Sequence, residues 1–171
     1  MKKKEFETII CATLPELFSL GHCLIPDECH AGQIVIDAIN ILFYKKQNML
    51  EEILTSDVDQ EGKDNIKLIL STLMAKEILN LAQKRHGHFN EQANYWNKYI
   101  KPTYKSFYTL SLQQRTLLFL ITHMSFSIED VAQVLEIDLL KAKSLAISAS
   151  NFITSCQVNN YLDNGVSLHA G

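Results

Sequence analysis

The chain contains few of the residues that interrupt regular structure or staple a small fold. It has six glycines and three prolines in 171 residues, which excludes a collagen-like chain and a long disordered tail. Its four cysteines are too few and too scattered for the disulfide framework of a small secreted domain. We therefore expect the cysteine thiols to be reduced. Because 47% of the residues are apolar, we also expect a packed, regular fold.

The sequence also lacks a long apolar run and a strong excess of one charge. No stretch reaches the roughly 18 apolar residues of a membrane helix. Glu5, Glu7, Pro15 and Glu16 interrupt the apolar run that a signal peptide needs, so a cytoplasmic protein without membrane contact is expected. The net charge of -3 argues against a protein that binds nucleic acid non-specifically, since phosphate binding requires concentrated positive charge.

Apolar residues recur at steps of three and four, which predicts an all-α fold. A basic turn followed by Gly87 favours a helix end near Arg85. The segment 51–63 is acidic and predicts a short helix followed by a polar loop. Longer helices are predicted over about 6–25, 28–46, 64–85, 111–123, 127–135 and 138–155.

This pattern predicts two small helical domains joined by an aromatic-rich connector. The first domain spans 1–88, the connector 89–108 and the second domain 109–156, and a polar, frayed tail follows at 157–171. Trp96 and the neighbouring tyrosines and lysines could stack on single-stranded nucleic acid. Packing of the two domains against each other is the favoured role, because large aromatic side chains give the most burial per residue.

The second domain has the clearest local signals. Ser111 with Gln114, and Ser127 with Asp130, have the spacing of capping boxes. Asp138 can cap the last helix in the same way. Only residues 136 and 137 separate the predicted helices 127–135 and 138–155. Two helices joined by so short a turn predict a helix-turn-helix.

Residues 110–118, Leu-Ser-Leu-Gln-Gln-Arg-Thr-Leu-Leu, resemble the L-P-x-x-x-R-x-x-L opening of the promoter-binding C-terminal domain of bacterial sigma factors. Residues 126–138 are similar to the L-S-x-x-E-I-A-x-x-L-G-I-S run of that domain. Lys143 and Ser144 fall where the family usually has K-S in the recognition helix. The chain thus resembles the two-domain sigma factors of the extracytoplasmic-function group.

A second similarity lies upstream. Asp37, Asn40 and Phe43 look like the D-x-x-Q-x-x-F helix that docks onto a coiled coil of RNA polymerase. Residues 69–85 occupy the position of the promoter-opening helix. The resemblance implies RNA polymerase core, promoter DNA and an anti-sigma regulator as partners, and no cofactor. Its implied site residues are Ser127, Lys141, Lys143 and Ser144 for DNA, Asp37, Asn40 and Phe43 for polymerase, and Lys76, Asn80, Lys84 and Arg85 for promoter opening.

The chain also departs from the family pattern. Where the recognition helix commonly carries arginines, this sequence has Leu145, Ser148 and Ser150. Residues 108–156 hold three basic and four acidic side chains, and Glu136 replaces the common turn glycine. Two functions are therefore expected: an initiation factor that binds polymerase and a promoter, or a decoy or adaptor that binds polymerase or an anti-sigma protein without reading DNA.

Some residues have a structural alternative to a functional role. Asp37 could be solvated and Phe43 could belong to the core. Arg115 could bind a phosphate, although an internal pair with Glu129 is favoured, because one exposed arginine contributes little alone.

Metal binding and catalysis are not expected from the sequence. His22, Cys23, Cys29 and His30 carry zinc-type ligands, but their spacing is not typical of a zinc site, so buried thiols beside exposed histidines are favoured. No glycine-rich phosphate cradle or nucleophile-base series stands out in the sequence, so the protein is not expected to be an enzyme.

Overall fold

The computed structural model describes residues 3–45, 60–90, 100 and 104–165. All regular elements in these ranges are helices, which confirms the all-α prediction for this part of the chain. Most of the acidic segment 51–63, and most of the connector with Trp96, lie outside the described residues. The helices are α1 (Lys3–Leu24), α2 (Glu28–Lys45), α3 (Gln60–Asn90), α4 (Lys105–Thr109), α5 (Leu112–His123), α6 (Ile128–Leu135) and α7 (Leu139–Gly165).

Two helices are longer than the sequence predicts. The end of α3 expected near Arg85 is wrong, because the helix continues through Gly87 to Asn90. A single glycine costs a helix about 1 kcal/mol, which strong neighbouring helix formers offset. The tail predicted from residue 157 is also wrong in part, since the backbone of α7 remains helical to Gly165.

Helices α1, α2 and α3 pack on one another in the first half of the chain. Leu20 of α1, Ile34 of α2 and Met74 of α3 are fully buried in their shared core. Helices α1 and α2 approach closely at Gly21, where a Cβ atom would lie 2.9 Å from the carbonyl oxygen of Ala31. The absence of a side chain at Gly21 therefore sets the spacing of these two helices.

Helices α5, α6 and α7 form the second group, and one core runs through both groups. Leu120 of α5, Val131 of α6 and Ala142 of α7 are fully buried. Helix α5 packs on α1, and α6 packs on α3, so the buried side chains of the two groups form one continuous cluster. The domain boundaries given above remain predictions.

The turn between α6 and α7 contains one residue with a left-handed backbone conformation. This residue is Glu136, with φ 54° and ψ 43°, at the position where the resembled family has glycine. Its backbone N–H donates to the carbonyl oxygens of Ala132 and Gln133, and the N–H of Ile137 donates to that of Ala132. These hydrogen bonds provide donors for the last carbonyl groups of α6, and the chain then turns into α7.

All three predicted N-caps are present. Ser111 with Gln114, and Ser127 with Asp130, form complete capping boxes. The Oδ1 atom of Asp138 accepts from the backbone N–H of Lys141 at 2.8 Å. The starts of α5, α6 and α7 are therefore fixed by local sequence.

None of the described helices combines the length and the apolar character needed to cross a membrane.

Candidate functional site

Three of the four predicted DNA-binding residues lie together at the start of α7. Lys141, Lys143 and Ser144 are all exposed within the first two turns of this helix. The left-handed turn at Glu136 places the helix start directly after α6. This arrangement presents two ammonium groups and one hydroxyl to solvent at the start of α7.

The fourth residue, Ser127, lies at the other end of α6, and its hydroxyl is already used. Its Oγ accepts from the backbone N–H of Asp130 at 3.1 Å and donates to Oδ2 of the same residue at 2.5 Å. Glu129 and Asp130 also place two carboxylates in the first turn of α6. A phosphate at this helix N-terminus would meet negative charge as well as the favourable helix dipole.

The outer surface of α7 carries apolar side chains that sequence reasoning did not single out. Leu140 is 80% exposed and Ile147 is 62% exposed. Ser144 and Asn151 are exposed on the same surface, at helical spacing from these two residues. The sequence signal that was available is the absence of any charged residue or histidine from 144 to 162.

The predicted polymerase and promoter-opening residues meet at an ion pair. Nη2 of Arg85 lies 2.5 Å from Oδ2 of Asp37, and Gln33 donates to Oδ1 of that carboxylate at 2.8 Å. The Asp37 carboxylate thus links α2 to α3, so the interpretation that it is only solvated is wrong. Asn40 and Phe43 remain exposed, so a core position for Phe43 is also wrong.

A second ion pair joins α3 to the turn before α7. Nζ of Lys76, a predicted promoter-opening residue, lies 2.5 Å from Oε1 of Glu136. The hydrogen bond from Lys76, together with its charge, lowers the pKa of the Glu136 carboxyl below its usual value. Of the other predicted promoter-opening residues, Asn80 is half-buried and Lys84 is exposed on α3.

Arg115 occupies a buried position that the sequence did not predict. Its Nη1 donates to the carbonyl oxygens of Cys23 at 3.0 Å and Leu24 at 3.1 Å, at the end of α1. The predicted pairing with Glu129 is wrong, and so is an exposed phosphate contact, because the side chain is 4% exposed and turned toward α1. Burial lowers the pKa of the guanidinium.

Tyr108 and Cys23 complete the contacts around Arg115. The Tyr108 hydroxyl donates to the carbonyl oxygen of His22 at 2.6 Å, and the guanidinium carbon of Arg115 lies 5.0 Å from the ring centroid. Burial raises the pKa of both the Cys23 thiol and the Tyr108 hydroxyl to about 12. Tyr108 thus contacts both helical groups, whereas Trp96, on which the expectation for the connector centred, lies outside the described residues. We call His22, Cys23, Leu24, Tyr108 and Arg115 the clasp.

The four residues with zinc-type side chains are used differently. Cys23 is buried in the clasp, whereas Cys29 is exposed, so the expectation of buried thiols holds for Cys23 alone. Nδ1 of His30 lies 2.6 Å from Oδ1 of Asp27. Within the described ranges, no three histidine, cysteine or acidic side chains are grouped so that they could hold a metal ion.

The chain was compared with protein-family models, with curated proteins and with solved structures. None of the three comparisons gives a match.

Proposed function

We propose that this protein is a sigma-like transcription initiation factor, in which α6 and α7 read promoter DNA and α2 docks on RNA polymerase core. The observation that carries the proposal is the left-handed turn at Glu136, with Lys143 and Ser144 exposed on the helix that follows it. Two helices joined by a tight turn, with polar groups on the second, suit the major groove.

The charge on α7 suits a DNA reader that acts together with a larger partner. Lys141 and Lys143 can each neutralise a phosphate or contact a base edge, and Ser144 can donate to either. Two cations release few counterions, so the isolated protein should bind DNA weakly. Polymerase would supply the remaining affinity by holding the protein beside the promoter.

The docking surface proposed for polymerase lies on α2. Ile36, Asn40 and Phe43 are exposed at steps of four and three residues, which places them on one helix face. An aromatic side chain beside an amide and an aliphatic side chain is typical of a surface that binds another protein. An anti-sigma regulator could compete for the same surface.

The proposal is tested by the salt dependence of binding to promoter-rich genomic fragments in the presence of core polymerase. The wild-type complex should lose affinity linearly with the logarithm of salt concentration. Substituting both Lys141 and Lys143 with alanine should reduce that slope by about 2, because about 0.9 counterion is released per phosphate. Lys67→Ala, an exposed lysine early in α3, is the matched control and should leave the slope unchanged.

A second candidate function is an adaptor or decoy that binds polymerase without reading DNA. The observation that favours it is the outer surface of α7, where Leu140 and Ile147 are exposed. Lys76 and Arg85 are also engaged in ion pairs with Glu136 and Asp37. Polymerase binding with DNA affinity unchanged by the double lysine substitution would select this function.

A further inference from the structure

We infer that Lys76 is a positioning residue, which holds the turn before α7 in place through Glu136 and does not itself contact DNA. The inference rests on the proposed function and deepens it, because α7 is the helix that is proposed to read DNA. It gives Lys76 a different role from the one that the resemblance implied, which was promoter opening.

The contact that carries the inference joins the two helical groups. Nζ of Lys76, on α3, lies 2.5 Å from Oε1 of Glu136, in the turn between α6 and α7. The Lys76 side chain is 33% exposed, and its neighbours Ala75 and Leu79 on α3 are buried. A DNA phosphate at this ammonium group would therefore have to compete with a carboxylate that is already in contact with it.

The backbone hydrogen bonds of the turn lie within α6 and the turn itself. The N–H groups of Glu136 and Ile137 donate to carbonyl oxygens of Ala132 and Gln133. These bonds fix the turn relative to α6, whereas the Glu136 side chain adds a contact to α3 in the other helical group. Residues 136–138 link α6 directly to α7, so a shift of Glu136 is transmitted to the start of α7.

The residue type at position 136 also indicates a role for its side chain. The backbone there has φ 54°, a conformation that favours glycine because a Cβ atom is crowded in it. Glycine would suit the backbone better, but it has no side chain that could reach Lys76. Glutamate thus maintains a contact to α3 at a position where the backbone alone would favour glycine.

The consequence for DNA binding follows from where the proposed contact residues lie. Lys141, Lys143 and Ser144 follow closely after the turn, in the first two turns of α7. Their hydrogen bonds to phosphates or base edges require donor–acceptor distances of about 2.7–3.2 Å, so a small displacement of α7 weakens them. Loss of the ion pair should therefore reduce affinity without removing a cation from the DNA interface.

The salt dependence of DNA binding separates a positioning role from a direct phosphate contact. With core polymerase and promoter-rich genomic fragments, Lys76→Met should weaken binding by roughly two- to fivefold at every salt concentration. The slope should stay unchanged, because the same phosphates are neutralised. Lys67→Met, at an exposed lysine of the same helix, is the matched control and should change neither affinity nor slope.

Two results of this experiment would overturn the inference. A slope reduced by about 0.9 in Lys76→Met would show that Lys76 itself neutralises a phosphate. An affinity equal to that of the wild-type protein would show that the ion pair does not position α7.

A double-mutant cycle tests whether Lys76 acts through Glu136. Glu136→Gln should also weaken DNA binding, and the variant that combines Lys76→Met with Glu136→Gln should bind no more weakly than Lys76→Met alone. Additive losses would mean that the two residues act independently, and the inference would be wrong.

Hydrogen exchange in the DNA-free protein makes a failure of this inference distinguishable from a failure of the proposed function. Lys76→Met should accelerate exchange of the Glu136 and Ile137 amides by roughly two- to fivefold relative to the amide of Leu42 in α2, and Lys67→Met should not. Unchanged exchange in the turn, or equal acceleration at Leu42, would overturn the inference. If the wild-type complex binds no DNA, the proposed function fails, and the exchange rates alone decide whether Lys76 holds the turn.

Discussion

Arg115 and Cys23 are joined by two hydrogen bonds that run in opposite directions. Nη1 of Arg115 donates to the Cys23 carbonyl oxygen at 3.0 Å, and Sγ of Cys23 donates to the Arg115 carbonyl oxygen at 3.4 Å. The two residues are 92 positions apart and belong to α5 and α1. The end of α1 leaves backbone carbonyls without helical partners, and the clasp satisfies them from the second half of the chain.

Replacing Arg115 with methionine should strongly destabilise the fold. The substitution keeps most of the side-chain volume but leaves the buried carbonyls of Cys23 and Leu24 without these donors. Each buried unsatisfied group costs about 1–3 kcal/mol, so we expect a loss of roughly 3 kcal/mol in the free energy of unfolding, measured in urea. Lys143→Met, at an exposed site, should change it by less than about 0.5 kcal/mol. Equal effects of the two substitutions would contradict this role of the clasp.

Stability should fall at alkaline pH because of two groups in the clasp. Burial raises the pKa of the Cys23 thiol from 9.0, and that of the Tyr108 hydroxyl from 10.0, to about 12 in both cases. The unfolded chain therefore loses these protons first, and the stability they contribute is present below pH 9.0 and declines toward about pH 12. Urea unfolding across this window should show the decline.

The Cys23→Ala and Tyr108→Phe variants separate the two contributions to this decline. Cys23→Ala should flatten the part that begins near pH 9.0, and Tyr108→Phe the part that begins near pH 10.0. Stability that stays constant from neutral pH to about pH 11 in the wild-type protein would exclude this linkage.

Alanine at Gly21 and alanine at Gly32 should have opposite effects on stability. A Cβ at position 21 would lie 2.9 Å from the Ala31 carbonyl oxygen, so α1 and α2 would have to separate, at about 1–3 kcal/mol. At position 32 the nearest atom is Cε1 of Phe18 at 3.6 Å, an ordinary contact. Gly32→Ala should therefore raise the unfolding free energy by up to about 1 kcal/mol through helix propensity. A stabilising Gly21→Ala substitution would show that the helices are not packed this closely.

Two substitutions of Glu136 separate its backbone conformation from its ion pair. Glu136→Gln keeps the strained positive φ and removes the charge that faces Lys76, so the melting temperature should fall slightly. Glu136→Gly removes the same pair but relieves the strain, so it should melt above Glu136→Gln. Thermal unfolding by circular dichroism makes the comparison. Identical melting temperatures would mean that the left-handed turn carries no strain.

The elements fixed by neighbouring residues were predictable from sequence. Residue types at short spacing predict the N-caps at Ser111, Ser127 and Asp138, and the structure contains all three. The same local pattern marks Glu136 as the turn residue between α6 and α7, and it has the left-handed conformation. The end of α3 was not predictable, since one glycine at position 87 is a weak local signal against a long helix.

The contacts between distant segments could not be derived in the same way. Arg115 bonds to α1 and Asp37 bonds to Arg85 because the shared core brings those helices together. The sequence showed that these side chains are charged, but spacing along the chain carries no information on partners 48 or 91 residues away.

Binding of the purified protein to RNA polymerase core tests the central claim most directly. The wild-type chain should form a complex, detected by fluorescence anisotropy, and Phe43→Ala should weaken it by roughly tenfold or more. Ile69→Ala, at an exposed apolar position of α3, should leave the affinity unchanged. No binding of the wild-type chain to polymerase core, or equal affinities of the wild type and Phe43→Ala, would contradict the claim.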